Sequence, residues 1–231
     1  MRILGIAAKW LFILCLPVLL LTASIGWIVN SLWLYKYDFE KYDISQASGL
    51  SDSELEKAAT GLISYFNSNE EYISITVVKD GKPFELFNQQ EIIHLKDVKG
   101  LIWLDYRVLA GTLVYVLAYA GVCLLWRKPR YWRRLAWGVV GGGGLTLALM
   151  LALGLGTLFG FEQLFWQLHL IGFSNQFWLL DPTKDYLKML FPDGYFYDLF
   201  SFGTLGVAGL SIILGGGAGG YLLSTRKRSR A

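Results

Sequence analysis

Four stretches of this chain are uncharged and apolar for long enough to cross a membrane: residues 10–33, 108–126, 135–161 and 199–225. A hydrocarbon core about 30 Å thick is spanned by an α-helix of about 20 residues, which satisfies every backbone polar group within the segment. With 54% hydrophobic residues, the chain is too apolar for an ordinary soluble domain. The reading is a mainly α, multi-pass membrane protein of inner-membrane type with four transmembrane helices.

The spans divide the chain. Residues 1–9 precede the first, 10–34; residues 35–105 form a small extracytoplasmic α+β cap; 106–126 is the second span and 127–134 a basic loop; 135–161 is the third; 162–198 forms an interfacial or re-entrant helical segment; 199–225 is the fourth span and 226–231 a basic tail. The first span reads as an uncleaved signal anchor, because its apolar run continues past Leu21-Thr22-Ala23-Ser24 to Trp33. Cys15 follows Ile13 and Leu14, where a lipobox needs small residues, and Cys15 and Cys123 lie in separate spans with no disulfide or metal spacing.

Charge sets the expected orientation. Arg2 and Lys9, then Arg127, Lys128, Arg130, Arg133 and Arg134, then Arg226, Lys227, Arg228 and Arg230 lie in segments without an acid, whereas every Asp and Glu falls within 38–105 or 162–198. Short basic loops are retained in the cytoplasm. Both termini are therefore expected inside, and both histidines outside. The net charge of +3 reflects this asymmetry and points to membrane lipid rather than nucleic acid.

Within the cap, Ser51 or Asp52 is expected to cap a helix through Phe66, with Leu55, Ala59, Leu62 and Phe66 on one face. Ile73, Ile75 and Val77 then alternate with smaller or polar residues up to a Lys79-Asp80-Gly81-Lys82 turn, and Pro83 to Phe87 returns as a hairpin. From Gln89 to about Trp103 the pattern is helical, with Ile93, Val98, Leu101 and Leu104 expected inward. In the second outer segment, Asp181-Pro182 is expected to start a short helix, and Pro192-Asp193-Gly194 to turn back into the last span. The glycines at 141–144 and at 215, 216, 217, 219 and 220 lack the strand and following Lys or Ser/Thr of a phosphate loop, and are expected to permit close helix packing.

His94 and His169 are the side chains whose ordinary pKa suits proton transfer at neutral pH. On a helix Asp97 lies at i+3 from His94, and His169 stands beside a Gly172-Phe173-Ser174-Asn175 break that could free backbone donors. The weaker alternatives are Ser174 as a nucleophile, which lacks a preceding strand and has Gln176 where an elbow needs glycine, and a zinc site from His94, His169 and Asp97 or Asp181. A non-enzymatic sensor or accessory protein whose cap binds a partner is the rival of another class; it requires the two histidines to point apart. Transport is disfavoured because no span carries an ionisable residue at its middle.

Two stretches are less generic. Leu86-Phe87-Asn88-Gln89-Gln90-Glu91-Ile92-Ile93-His94-Leu95-Lys96-Asp97-Val98-Lys99 resembles one signature of the Lit family, the lipoprotein intramolecular transacylases; Phe165 to His169, Phe173-Ser174-Asn175, Trp178, Leu180-Asp181-Pro182, Asp185 and Met189 to Pro192 resemble the other. Gln89-Gln90 stands where a more charged pair is expected. The resemblance implies transfer of the sn-2 acyl chain of a diacylglyceryl-cysteine lipoprotein to that cysteine's own α-amine, at the outer leaflet. It implies His94 and His169 as the catalytic pair and no cofactor. The reaction fits the chain. An amide replaces an ester without an energy source, and donor and acceptor share one molecule, so orientation does much of the work. Its remaining needs are removal of a proton from an amine of pKa about 7.7 to 8.0 and stabilisation of an oxyanion. Which histidine is the base is not decided by the sequence; the working assignment is His94 as base, tuned by Asp97, and His169 as acid or oxyanion donor, helped by Asn175 or free backbone N–H groups near Gly172, with Asp181 as an N-cap. It leaves acyl preference and oligomeric state open.

Overall fold

The computed structural model describes residues 2–126 and 128–228; Met1, Arg127 of the basic loop and residues 229–231, including Arg230 of the basic tail, lie outside the described residues. It is mainly helical, with one two-stranded sheet. Four helices are long and apolar enough to cross a membrane: α1 (Arg2–Val29), α5 (Gln89–Leu125), α6 (Pro129–Gly172) and α8 (Asp193–Arg228). The shorter elements are α2 (Leu32–Lys41), α3 (Ile44–Ser48), α4 (Asp52–Phe66), β1 (Thr76–Lys79), β2 (Lys82–Glu85) and α7 (Tyr186–Leu190). The chain forms two compact units, one of residues 1–25, 105–156 and 201–231, the other of 26–104 and 157–200.

The first unit is built on helix packing at small residues. A Cβ on Gly141 would lie 3.1 Å from Ile13, and one on Gly142 would lie 2.8 Å from Leu16, so α6 and α1 approach more closely there than a larger residue allows. A Cβ on Gly143 would lie 3.3 Å from the Ser211 carbonyl of α8. The fourth-span cluster departs from expectation: Gly215, Gly216, Gly217, Gly219 and Gly220 all have open space where a side chain would stand, although a Cβ on Gly143 would lie 3.7 Å from the Gly215 Cα. Packing in this unit uses one glycine cluster, and large apolar side chains such as Leu117, Leu205 and Ile213 remain on its surface, as a hydrocarbon solvent permits.

In the second unit the local signals and the structure meet closely. Ser51 caps α4 by accepting from the Glu54 N–H, and Leu55, Ala59, Leu62 and Phe66 are all buried. β1 and β2 pair antiparallel from Thr76↔Glu85 to Lys79↔Lys82. Asp80 and Gly81 both have positive φ, 53° and 73°, as a two-residue type I′ turn requires. Ile73, Ile75 and Val77 turn inward, and Gly61 admits Ile75 against α4: a Cβ there would lie 2.6 Å from the Ile75 Cδ1.

Several boundaries differ from those read in the sequence. The first helix stops at Val29, and Trp33 belongs to α2; the Asn30 amide donates to the Gly26 carbonyl at 2.7 Å and the Ser31 N–H to Ile28 at 3.1 Å, closing the helix end. α5 runs unbroken through the boundary placed at 105. Its inward face carries Glu91, His94, Leu95, Lys99 and Ile102, while Leu101 and Leu104 are exposed, because polar partners rather than hydrophobicity select that face. α6 continues to Gly172 with one non-helical residue, Gly160. Asp181 caps a turn through Thr183 rather than a helix, whose cap is Asp185. Asp193 and Gly194 already belong to the first turn of α8.

Candidate active site

His94 comes from the second turn of α5, a charged stretch with Glu91, Lys96, Asp97 and Lys99 that precedes the apolar run starting at Val108. His169 comes from the last turn of α6, past Gly160 and Glu162. The two rings lie with centroids 6.2 Å apart and planes inclined by 28°. Both line one cavity of about 230 Å³, whose walls are otherwise largely apolar: Leu62, Val98, Ile102, Phe165, Trp178 and Phe196 among them. Phe173 packs against both imidazoles, at 4.9 Å from His94 and 5.4 Å from His169. Phe165 and Trp178 flank His169 at 4.2 and 5.0 Å. Phe165 and Trp178 are thus walls of the histidine cavity as well as ring neighbours of His169.

The ring nitrogens are not equivalent. His169 Nδ1 lies 2.8 Å from the Phe165 carbonyl, which only accepts, so Nδ1 carries the proton and neutral His169 presents an Nε2 lone pair. His94 Nδ1 is buried and has no hydrogen-bond partner among the described residues. An unsatisfied buried acceptor is tolerated better than an orphaned N–H, which favours the tautomer with its proton on His94 Nε2. Burial, with the neighbouring His169 acting in the same sense and Asp97 opposing, pulls the His94 pKa down to about 4. His169 is lowered too, chiefly by burial; the bond to Phe165 opposes the shift and Lys188 reinforces it. Both shifts favour the neutral imidazole.

The other expected site residues are distributed differently. Asp97 does not bond His94; its Oδ2 accepts from the Asn175 amide at 2.7 Å, and the Asn175 Oδ1 accepts from the Phe177 N–H at 3.0 Å. These two residues tie α5 to the segment after α6, and the Asn175 amide expected to serve an oxyanion makes that tie instead. Ser174 is exposed and is not part of the cavity lining. Asp181 accepts from the Thr183 N–H and hydroxyl. Among the described residues no three His, Cys, Asp or Glu side chains are grouped to hold a metal ion.

Residues not singled out in the sequence set the geometry. Glu91, one turn before His94 and almost wholly buried, accepts from the Asn88 N–H at 2.7 Å and from the Leu187 N–H at 2.6 Å. The Asn88 amide donates to Asp185 at 2.8 Å, and the Gln90 amide to the Leu179 carbonyl at 2.9 Å. Lys188, beside Leu187, lines the histidine cavity. Their nearest signal was position: each stands within six residues of a histidine or inside the second motif.

Comparison with known proteins agrees with this architecture. No curated protein matches the chain. Among solved structures, the membrane integral lipoprotein intramolecular transacylase Lit from Bacillus cereus, 17% identical, superposes with a TM-score of 0.79 over 100% of both chains. A variant of that protein with one histidine replaced by arginine gives 0.76 at 19% identity, over 98% of this chain and 95% of that one. The alanine variant gives 0.76 at 18%, over 97% and 96%. At these identities the likeness establishes the fold. The family model for lipoprotein intramolecular transacylase Lit matches residues 10–196, most of the length, and so the chain belongs to the Lit family of lipoprotein intramolecular transacylases.

Proposed function

We propose that this protein moves the sn-2 acyl chain of a diacylglyceryl-modified bacterial lipoprotein to the α-amine of the same cysteine, leaving a lyso-form lipoprotein, with His94 and His169 as the reacting pair. The observation that carries the assignment is the shared cavity: two neutral imidazoles, 6.2 Å apart and not bonded to each other, face one largely apolar chamber. A sensor with independent histidines needs no such convergence.

The hydrogen bonding supports roles opposite to those favoured from sequence. His169 Nε2 is the base: it takes a proton from the substrate amine as nitrogen attacks the ester carbonyl, and its Nδ1–H, held by Phe165, supports the charge that forms on the ring. His94 donates from Nε2 to the carbonyl oxygen as that oxygen becomes negative. Collapse of the tetrahedral intermediate reforms the carbonyl, breaks the bond to the glyceryl oxygen and returns the His169 proton to that oxygen, so protons balance over the cycle. The apolar walls accommodate acyl chain and exclude water, which favours the amine over hydrolysis.

The orientation read from the basic segments places this cavity at the outer leaflet, with residues 35–105 as an extracytoplasmic cap and 162–198 at the interface; membrane lipid surrounds the helices, and the reaction calls for no cofactor. The deciding experiment is mass spectrometry of a lipoprotein amino-terminal peptide from cells lacking their own amino-acylation, with and without this protein. The expected product is the lyso form, absent with His94→Ala or His169→Ala at equal membrane abundance. A diacylglyceryl peptide unchanged by the wild-type protein overturns the proposal.

A further inference from the structure

The histidine cavity contains a positive charge that the acid-base scheme does not use. Lys188 lines the cavity, its side chain is only 23% exposed, and its ammonium lies 5.9 Å from the centre of the Phe165 ring, which itself packs on His169. Its ion-pair partner, Asp193, is 60% exposed. A lysine serving only that ion pair would gain little from it, since solvent screens a pair with so exposed a partner, and could reach Asp193 from the surface without bringing its charge to an apolar chamber. Its backbone is also held in place: the preceding residue, Leu187, donates to buried Glu91 one turn before His94, and the helix cap Asp185 accepts from Asn88. α7 is thereby fixed to the turn that carries His94.

Resting on the transacylase reading, we propose that Lys188 is the electrostatic partner of the reaction's oxyanion. When the amine nitrogen bonds to the ester carbon, the carbonyl π pair moves onto oxygen, and the negative charge arises in a cavity whose two imidazoles are neutral. A neutral N–H from His94 supplies a dipole. Lys188 supplies a full charge, effective because the walls are apolar. The charge is present before the reaction and moves no proton, so the balance of the cycle is unchanged. The same charge disfavours protonation of His169, while Asp193 acts in the opposite sense.

The test compares Lys188→Met, Lys188→Arg and Asp193→Asn in the full-length protein in lipid nanodiscs, with a synthetic diacylglyceryl-cysteinyl peptide as substrate. Removing one oxyanion-stabilising group lowers kcat by roughly 10²–10³-fold. That loss is expected for Lys188→Met, with KM changed by less than about threefold, as befits an interaction made in the transition state. The acid limb of its pH profile should move to higher pH as His169 becomes easier to protonate. Lys188→Arg should restore most of the rate, and Asp193→Asn, which breaks the ion pair but keeps the cation, should retain it. Lys188→Gln carries the same expectation where the methionine variant does not accumulate. A kcat within about threefold of wild type in the charge-free variant, an equal loss in Asp193→Asn, or an unmoved acid limb overturns the proposal. A wild-type protein that yields no lyso-form peptide refutes instead the transacylase reading on which it rests.

Discussion

Glu91→Gln should loosen the site without touching a reacting atom. The carboxylate receives two backbone N–H groups, from Asn88 at 2.7 Å and Leu187 at 2.6 Å, in a position 1% exposed. Glutamine offers one oxygen, so one N–H keeps an acceptor while the other faces the new amide, donor against donor. A hydrogen bond to a charged group contributes about 1.5–3 kcal/mol, and a buried N–H left unpaired costs about 1–3 kcal/mol. Relief from burying a carboxylate, whose pKa burial raises here, offsets part of this, leaving a net loss of about 2–4 kcal/mol. Because the Leu187 amide is the cross-link to α7, the loss should appear as faster hydrogen exchange at Leu187 and its neighbours. Misplacement of a positioning group by about 1 Å costs on the order of 10²-fold in rate, so lyso-form production should fall by about that factor at undiminished membrane abundance. Glu91→Asp, with the charge but a shorter reach, should fall between. Unchanged exchange at Leu187 together with unchanged activity would refute the reasoning that Glu91 sets the geometry.

The pH dependence has a definite sign. His94 binds a proton near pH 6.5 when unfolded but only at about 4 in the fold, so its contribution is flat above pH 6.5 and stability falls as pH drops from 6.5 to 4, by about 3 kcal/mol. Thermal unfolding of His94→Gln against wild type should show that difference, and parallel curves across the window would contradict it. Activity should rise through the substrate amine's range at about 7.7–8.0, with its enzyme-derived acid limb below 6.5; a limb above 6.5 would exclude the lowered histidines as its source. Gly142→Ala should destabilise the protein by about 1–3 kcal/mol through overpacking against Leu16. Gly216→Ala, at an open position, should be neutral or slightly stabilising; equal melting shifts would show that the glycine clusters are equivalent. Ser174→Ala should retain full transacylase activity, and a loss beyond tenfold would reopen the serine reading.

Local signals were legible wherever the determining contacts are close in sequence. Ser51 and its apolar face announced α4, and Asp80-Gly81 the type I′ turn, because caps and turns are decided by a few residues. The inward face of the α5 stretch is not legible in the sequence, for the opposite reason. Leu101 and Leu104 looked like core, yet Glu91 and Lys99 occupy it, each satisfied by a distant backbone: Glu91 by Leu187, Lys99 by the Glu70 carbonyl at 2.6 Å. Hydrophobic periodicity loses its meaning near a membrane, where an outward leucine incurs no penalty.

By itself the sequence determined the four apolar helices, the segregation of charge and the two histidines as the groups fit for proton transfer. Each follows from composition along the chain and the solvent it implies. Tertiary structure decided that His94 and His169 share a cavity, that Asp97 belongs to Asn175, and that Lys188 joins them. The two histidines are 75 residues apart in the chain, and Asp97 and Asn175, joined by a hydrogen bond, are 78 apart; no periodicity encodes contacts over such separations. His169 shows the division most clearly. Its identity is visible in the sequence, but its proposed use as a base rests on the Phe165 carbonyl that fixes its proton and on the apolar walls that favour its neutral form.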